Sequence, residues 1–147
     1  MAKGLELLIS RQDIEQSVSR LAAEISADYR GRDLVVVGIL KGAFIFMADL
    51  VRQLELPLEV DFITVSSYGG GTETSRSISL RQELTTDVNG KDTLVVEDIV
   101  DSGHTVDFVC RHLKGLGASS VSVCALADKP SRREVPVDID YVGFAVP

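Results

Sequence analysis

Read for its alternation of apolar and polar positions, the chain divides into stretches of two different periods. Ile14, Val18, Leu21 and Ile25 recur at helical spacing and mark one face of a helix. Ser10, with Asp13 three residues on, has the form of a helix start, and Gly31 is a stop. Asp33 to Leu40, DLVVVGIL, is instead a continuous apolar run, the pattern of a strand covered on both faces. Lys41-Gly42 turns it into a second amphipathic helix around Phe44, Met47 and Val51, with Pro57 beyond its end. Val60 to Val65 reads as the next strand, and Ser66 to Arg76, SSYGGGTETSR, as the most flexible segment. Leu94, Val95 and Val96 suit a buried strand, after which Val106, Val109 and Leu113 return to helical spacing. Ser120 to Ala127 and Ile139 to Ala145 supply two more strands. Strands alternating with helices predict an α/β fold: a mostly parallel twisted sheet, right-handed crossovers and helices on both faces. In such sheets ligands bind beyond the carboxyl ends of the strands, near a switch in strand order.

Length and composition narrow this picture. At 147 residues the chain is one domain, spanning 1–147, with no linker or repeat. The apolar fraction is 45%, yet no run is long enough to span a bilayer, and MAKGLELLISRQ lacks a signal-peptide layout. A soluble, cytoplasmic protein is expected. The formal charge of −7 argues against nucleic-acid or anionic-membrane partners, which an acidic surface repels. Cys110 and Cys124 fall in a predicted helix and strand without ligand spacing and read as small core hydrophobes.

The chemistry concentrates in Leu94 to Val106, LVVEDIVDSGHTV. A strand there runs into a hydroxyl-rich turn, Ser102, Gly103 and Thr105, at the start of a helix. Unpaired backbone N–H groups at such a start favour a phosphate. Glu97, Asp98 and Asp101 lie just upstream, and carboxylates beside a phosphate site repel the ligand unless they hold a metal, accept sugar hydroxyls or take a proton. No G-x-G-x-x-G turn and no P-loop occurs, so ordinary dinucleotide-binding and NTPase readings lack their central part.

VVEDIVDSGHT resembles the phosphoribosyl-diphosphate signature of type I phosphoribosyltransferases, in the form used by the hypoxanthine-guanine branch. The glutamate-aspartate opening and the third acid, Asp101, point to a 6-oxopurine enzyme. The resemblance covers Leu5 to Pro147 and implies that family's α/β fold with a flexible lid loop. It further implies a purine-salvage transferase that joins hypoxanthine, and guanine with it, to the ribosyl phosphate of magnesium-bound phosphoribosyl diphosphate, releasing diphosphate. Homodimers or homotetramers are the usual assemblies.

On this resemblance Glu97 and Asp98 accept the ribose hydroxyls and organise Mg2+, directly or through water. Asp101 accepts the proton leaving the purine; its plain alternative is a turn-capping aspartate. Ser102, Gly103, His104 and Thr105 hold the 5′-phosphate through amides and hydroxyls, with His104 a bystander or donor and no catalyst. GILKGAFIFMADL resembles the diphosphate loop, so Lys41 and Gly42 face the leaving group from a strained peptide arrangement. A lysine at such a strand end is otherwise a surface turn residue. Lys129, closing SVSVCALADKPSRR, resembles the lysine that donates to the 6-oxo group and so disfavours adenine. Arg133 matches an arginine near the diphosphate, and reads equally as a surface arginine. Ser67 and Tyr68 would meet the diphosphate as the Ser66 to Arg76 loop closes and excludes water, although a loop of that composition can also be idle.

Two rivals belong to other classes. A phospho-acceptor receiver domain would share the sheet and the Asp128-Lys129-Pro130 sequence, but Gly38-Ile39-Leu40-Lys41 brings no acid pair for magnesium. A non-catalytic nucleotide-sensing regulator would share the fold, though the acidic charge and Asp101 count against one that binds RNA or DNA. Related chains are expected to continue some tens of residues beyond YVGFAVP, with a purine-stacking aromatic, backbone groups that read the base edge, and an aspartate near magnesium. A chain truly ending at Pro147 is expected to bind base less well than sugar diphosphate.

Overall fold

The computed structural model describes residues 9–68 and 77–147. Helix α1 (Arg11–Asp28) starts as the sequence predicts: the Asp13 amide donates to Ser10 Oγ at 3.0 Å, and Asp13 Oδ2 accepts the Ser10 amide at 3.1 Å. These bonds satisfy amides that have no intrahelical partner. The helix ends at Asp28, before the expected stop at Gly31, which sits in the following turn with φ +78°. Strand β1 (Leu34–Leu40), helix α2 (Phe44–Val51) and strand β2 (Leu58–Tyr68) follow. Strand β3 (Ser77–Gln82), absent from the sequence reading, pairs antiparallel with β2. Strand β4 (Asp92–Val100), helix α3 (His104–Gly115), strand β5 (Ser120–Asp128) and strand β6 (Tyr141–Ala145) complete the order.

Among the described residues the strands form one six-stranded sheet in the order β3-β2-β1-β4-β5-β6, parallel except for β3. From β1 the chain moves outward one way through α2 to β2; from β4 it moves the other way through α3 to β5. Right-handed crossovers in opposite directions place their helices on opposite faces. One core accordingly packs α1 and α2 through Leu21, Ile25, Met47 and Leu50 against Leu34, Val36, Leu94 and Val96. The other packs α3 through Val106, Val109 and Leu113 against Val35, Val37, Val95 and Val123. Alternate β1 and β4 side chains serve the two cores, which explains the unbroken apolar run in β1. Both cysteines pack as predicted: Cys124 is buried and Cys110 partly so. No described helix is long and apolar enough to cross a membrane.

Asp61 is a buried carboxylate of β2 that the sequence did not flag. Its Oδ2 accepts the amides of Thr85 at 2.9 Å and Thr86 at 2.7 Å, and Oδ1 that of Phe62 at 2.8 Å. Burial opposes ionisation, but these backbone donors outweigh it and hold the pKa below the ordinary aspartate value. The contact fastens the connection between β3 and β4 beneath the sheet. Asp61→Ala strands two of these amides and is expected to lower unfolding stability by ~2 kcal/mol in urea titration. An unchanged midpoint would show that water replaces the carboxylate.

Candidate active site

The divergence of the chain at β1 and β4 opens a crevice where their carboxyl ends lie side by side. Register fixes the alignment: Gly38 of β1 pairs with Val96 of β4, and Val96 pairs in turn with Cys124 of β5. Lys41 and Gly42 leave β1 through a cis Leu40–Lys41 peptide. A Cβ on Gly42 would stand 3.9 Å from Cβ of Asp98, so the β1 turn faces the acids of β4 at van der Waals distance.

Strand β4 runs further than the apolar pattern suggested, through Glu97 and Asp98 to Val100, with Glu97 paired to Ala125 of β5. The carboxylates therefore sit on regular backbone, not in a loose loop. Burial, with Asp98 and Asp101 adding like charge, pushes the Glu97 carboxyl up to about 7, although the Asp98 amide donates to it at 2.9 Å. Burial also raises Asp98. Among the described residues no group of three or more potential metal-ligating side chains gathers. Glu97 and Asp98 remain as a pair of hard oxygen donors, a set that suits a cation retaining waters and taking further oxygens from a ligand.

Asp101 is exposed beyond the end of β4, and its Oδ1 accepts the Ser102 amide at 2.6 Å. Helix α3 begins at His104 behind Gly103, whose φ of +90° favours glycine. A Cβ on Gly103 would also lie 3.0 Å from the Val135 carbonyl oxygen. Gly103 at the helix-capping position has no side chain to offer, and the first helical amide, that of His104, donates to Ser102 Oγ at 3.4 Å. Glu97, Asp101, Ser102, Gly103 and Thr105 line one small depression there. The His104 ring pairs with Glu134, Nε2 to Oε1 2.9 Å.

Lys129 follows β5, its amide donating to the Val100 carbonyl at 2.9 Å, which brings the residue to the rim of the same crevice. Arg133 lies against the acid-rich loop, but its guanidinium is engaged with Asp128 and, through Nε at 2.9 Å, with the Asp101 carbonyl. Ser67 and Tyr68 form the last described rungs of the β2–β3 ladder, opposite Ile78 and Ser77. The remainder of the expected lid, residues 69–76, lies outside the described residues. The sequence pointed to no site role for Glu134 and Val135, which have no motif of their own, and placed Asp128 only in the sequence shared with receiver domains. A roomier groove at the amino ends of β1, β2 and β4 is rimmed by Arg32–Asp92 and Lys91–Glu59 ion pairs, so its cations are already matched.

A parallel sheet split at β1 and β4, with paired carboxylates and an uncapped helix start at the split, defines an α/β domain that handles a sugar phosphate. The family model described as phosphoribosyl transferase domain matches residues 7–147, and the chain belongs to that family. It is similar to a hypoxanthine phosphoribosyltransferase of Salmonella typhimurium, 45% identical over 150 residues, covering 100% of this chain and 84% of the relative. The hypoxanthine phosphoribosyltransferase structure from Staphylococcus aureus superposes with a TM-score of 0.93 at 37% identity, covering 97% of this chain and 78% of that one. A Bacillus anthracis hypoxanthine-guanine phosphoribosyltransferase, crystallised with a HEPES molecule in its active site, gives 0.90 at 41% identity, covering 95% and 83%.

The raised Glu97 pKa has a consequence for stability. From its ordinary value of 4.5 up to about 7 the folded protein keeps a proton that the unfolded chain releases. Stability therefore falls as pH rises through this window and levels off above it, a loss on the order of 2–3 kcal/mol. Glu97→Gln is expected to melt above the wild type at pH 8, with the difference closing towards pH 4.5. Thermal melts at the two pH values check this, and equal melting temperatures at both would contradict it.

Proposed function

We propose that the protein transfers the 5-phosphoribosyl group from phosphoribosyl diphosphate to hypoxanthine, with guanine as second base, releasing diphosphate. The observation that carries this reading is the pairing of three acids with an uncapped helix start at the point where β1 and β4 diverge. The helix start and the hydroxyls of Ser102 and Thr105 suit a phosphate. The carboxylates of Glu97 and Asp98 suit the ribose hydroxyls and Mg2+, which when bound would offset the negative charge of the diphosphate. Lys41, the Gly42 amide, Ser67 and Tyr68 are assigned to the leaving diphosphate. Lys129 is assigned to the 6-oxo group. Little covalent work falls to the protein on this reading, so holding the sugar and base in line accounts for most of the rate.

A cytoplasmic location and assembly into homodimers or homotetramers belong to the same reading. Exposed Phe44, Ile45, Val60 and Phe62 support burial against a second copy.

Steady-state assay of hypoxanthine, guanine, xanthine and adenine with phosphoribosyl diphosphate and Mg2+ tests the function. Hypoxanthine is expected to be used and adenine refused, and no turnover of any base would sink the proposal. In the same assay Lys129→Gln is expected to narrow the hypoxanthine-to-adenine ratio, because an amide can present either donor or acceptor. A ratio that stays put removes Lys129 from base reading.

Asp101 is placed as acceptor of the proton that leaves the purine. Asp101→Asn keeps an oxygen for the Ser102 amide but has no basicity, so turnover is expected to fall by ~10² to 10⁴ while ribose 5-phosphate binding persists. Wild-type turnover across the pH range would return Asp101 to a purely structural role.

A further inference from the structure

The segment from Lys129 to Val135 grips three consecutive carbonyls of the acid-rich loop. Lys129 N–H donates to the Val100 oxygen at 2.9 Å, Arg133 Nε to Asp101 at 2.9 Å, and the Glu134 and Val135 amides to Ser102 at 2.9 and 3.2 Å. In a planar trans peptide the carbonyl of one residue and the N–H of the next point in opposite directions. Tying the carbonyls of Val100, Asp101 and Ser102 from one side therefore sets the direction of the next N–H in each case: those of Asp101 and Gly103 turn to the other side, and that of Ser102 is held by Asp101 Oδ1 at 2.6 Å. Of these donors, only Arg133 uses a side chain, and it is itself held. Its second contact is the Asp128 carboxylate, and about four-fifths of each side chain is buried. The Arg133 stem also closes over Gly103, where a Cβ would stand 3.1 Å from Cδ.

We propose that Arg133 is a positioning residue: anchored on Asp128 at the end of β5, it fixes the carbonyl of Asp101 so that the 101–105 loop is preset to receive the 5′-phosphate of its sugar substrate. This rests on the reading of that loop as a phosphate site. It replaces the expectation that Arg133 meets the diphosphate. A guanidinium serves the brace because Nε and a terminal nitrogen donate at once in fixed directions, to a carbonyl and a carboxylate. Lysine offers one point charge on a flexible stem and cannot hold both acceptors in that geometry. Because Lys129 heads the same segment, the residue assigned to the base and the phosphate loop share one support.

The test measures Mg2+-diphosphate and ribose 5-phosphate binding by calorimetry, with kcat and KM, for wild type, Arg133→Lys, Asp128→Asn, Asp128→Ala and the Arg133→Lys/Asp128→Ala double variant. Thermal melts establish that each is folded. If the brace operates, Arg133→Lys loses tenfold or more in ribose 5-phosphate affinity and in kcat, since a displacement of ~1 Å can cost about a hundredfold. Diphosphate affinity stays within about twofold of wild type. Asp128→Ala reproduces this pattern, Asp128→Asn loses less because its amide oxygen still accepts, and the double variant is no worse than the worse single one. Should Asp128→Ala fail to fold with Arg133 left unmatched, the Arg133→Lys and Asp128→Asn pair carries the comparison. Loss of diphosphate affinity with ribose 5-phosphate binding intact would overturn the proposal in favour of a direct diphosphate contact. Multiplicative losses in the double variant would overturn the link through Asp128. A wild-type protein without ribose 5-phosphate affinity would overturn the phosphate-loop reading itself, an outcome distinct from failure confined to the variants.

Discussion

The handedness of the crossovers on either side of β1 and β4 is the constraint on which the architecture depends. A right-twisted strand followed by a right-handed helix packs back onto its sheet in one sense, so leaving the middle of the sheet in two directions sends α2 and α3 to opposite faces. Neither helix then covers the carboxyl ends of β1 and β4. Buried central strands need both faces covered, which uses the whole apolar content of Leu34 to Ile39 and Leu94 to Val96. The crevice is what this packing leaves open, and the polar residues of both strands collect at its edge because there the apolar demand ends.

Charge at that edge is arranged against the stability of the fold. Glu97 is drawn into the protein beside Asp98 and Asp101, and burial with like charge holds its proton to about 7. Such a site gains from any cation or donor that lets both carboxylates ionise. On the proposed function, local positive charge from magnesium, Lys41 and backbone amides would offset the repulsion between a chain of net charge −7 and an anionic sugar diphosphate. On that reading, the use of a metal-bound substrate and the raised Glu97 pKa share one electrostatic origin.

The acid-rich loop is ordered from behind. Three successive carbonyls are tied to the 129–135 segment, Gly103 is packed against Val135, and α3 starts without a side-chain cap. Those carbonyls would otherwise be free to rotate their amides away from a ligand. On the proposed phosphate site, support of this kind would lower the ordering that ligand binding requires.

Most of the framework was legible in the sequence because it rests on local period and short-range chemistry. The Ser10 and Asp13 cap, the apolar run of β1 and the helical spacing of Val106, Val109 and Leu113 all appear where their pattern placed them. The acids Glu97, Asp98 and Asp101 and the turn at Gly103 were legible from their order along one segment. Strand β3, with the half-exposed sequence SISLRQ, was not, because what makes it a strand is the ladder offered by β2. The continuation of β4 past Val96 likewise depends on β5, whose backbone pairs with Glu97, Ile99 and Val100 whatever their side chains prefer. Arg133 shows the limit most clearly. The family resemblance offered a place near the diphosphate and, equally, a surface arginine; its bonds to Asp128 and to a carbonyl 32 residues away are visible only in the fold. Local sequence determined which elements form and which residues carry charge; the tertiary structure alone decided which charges meet, because long-range pairing is set by how the sheet assembles and leaves no period in the chain.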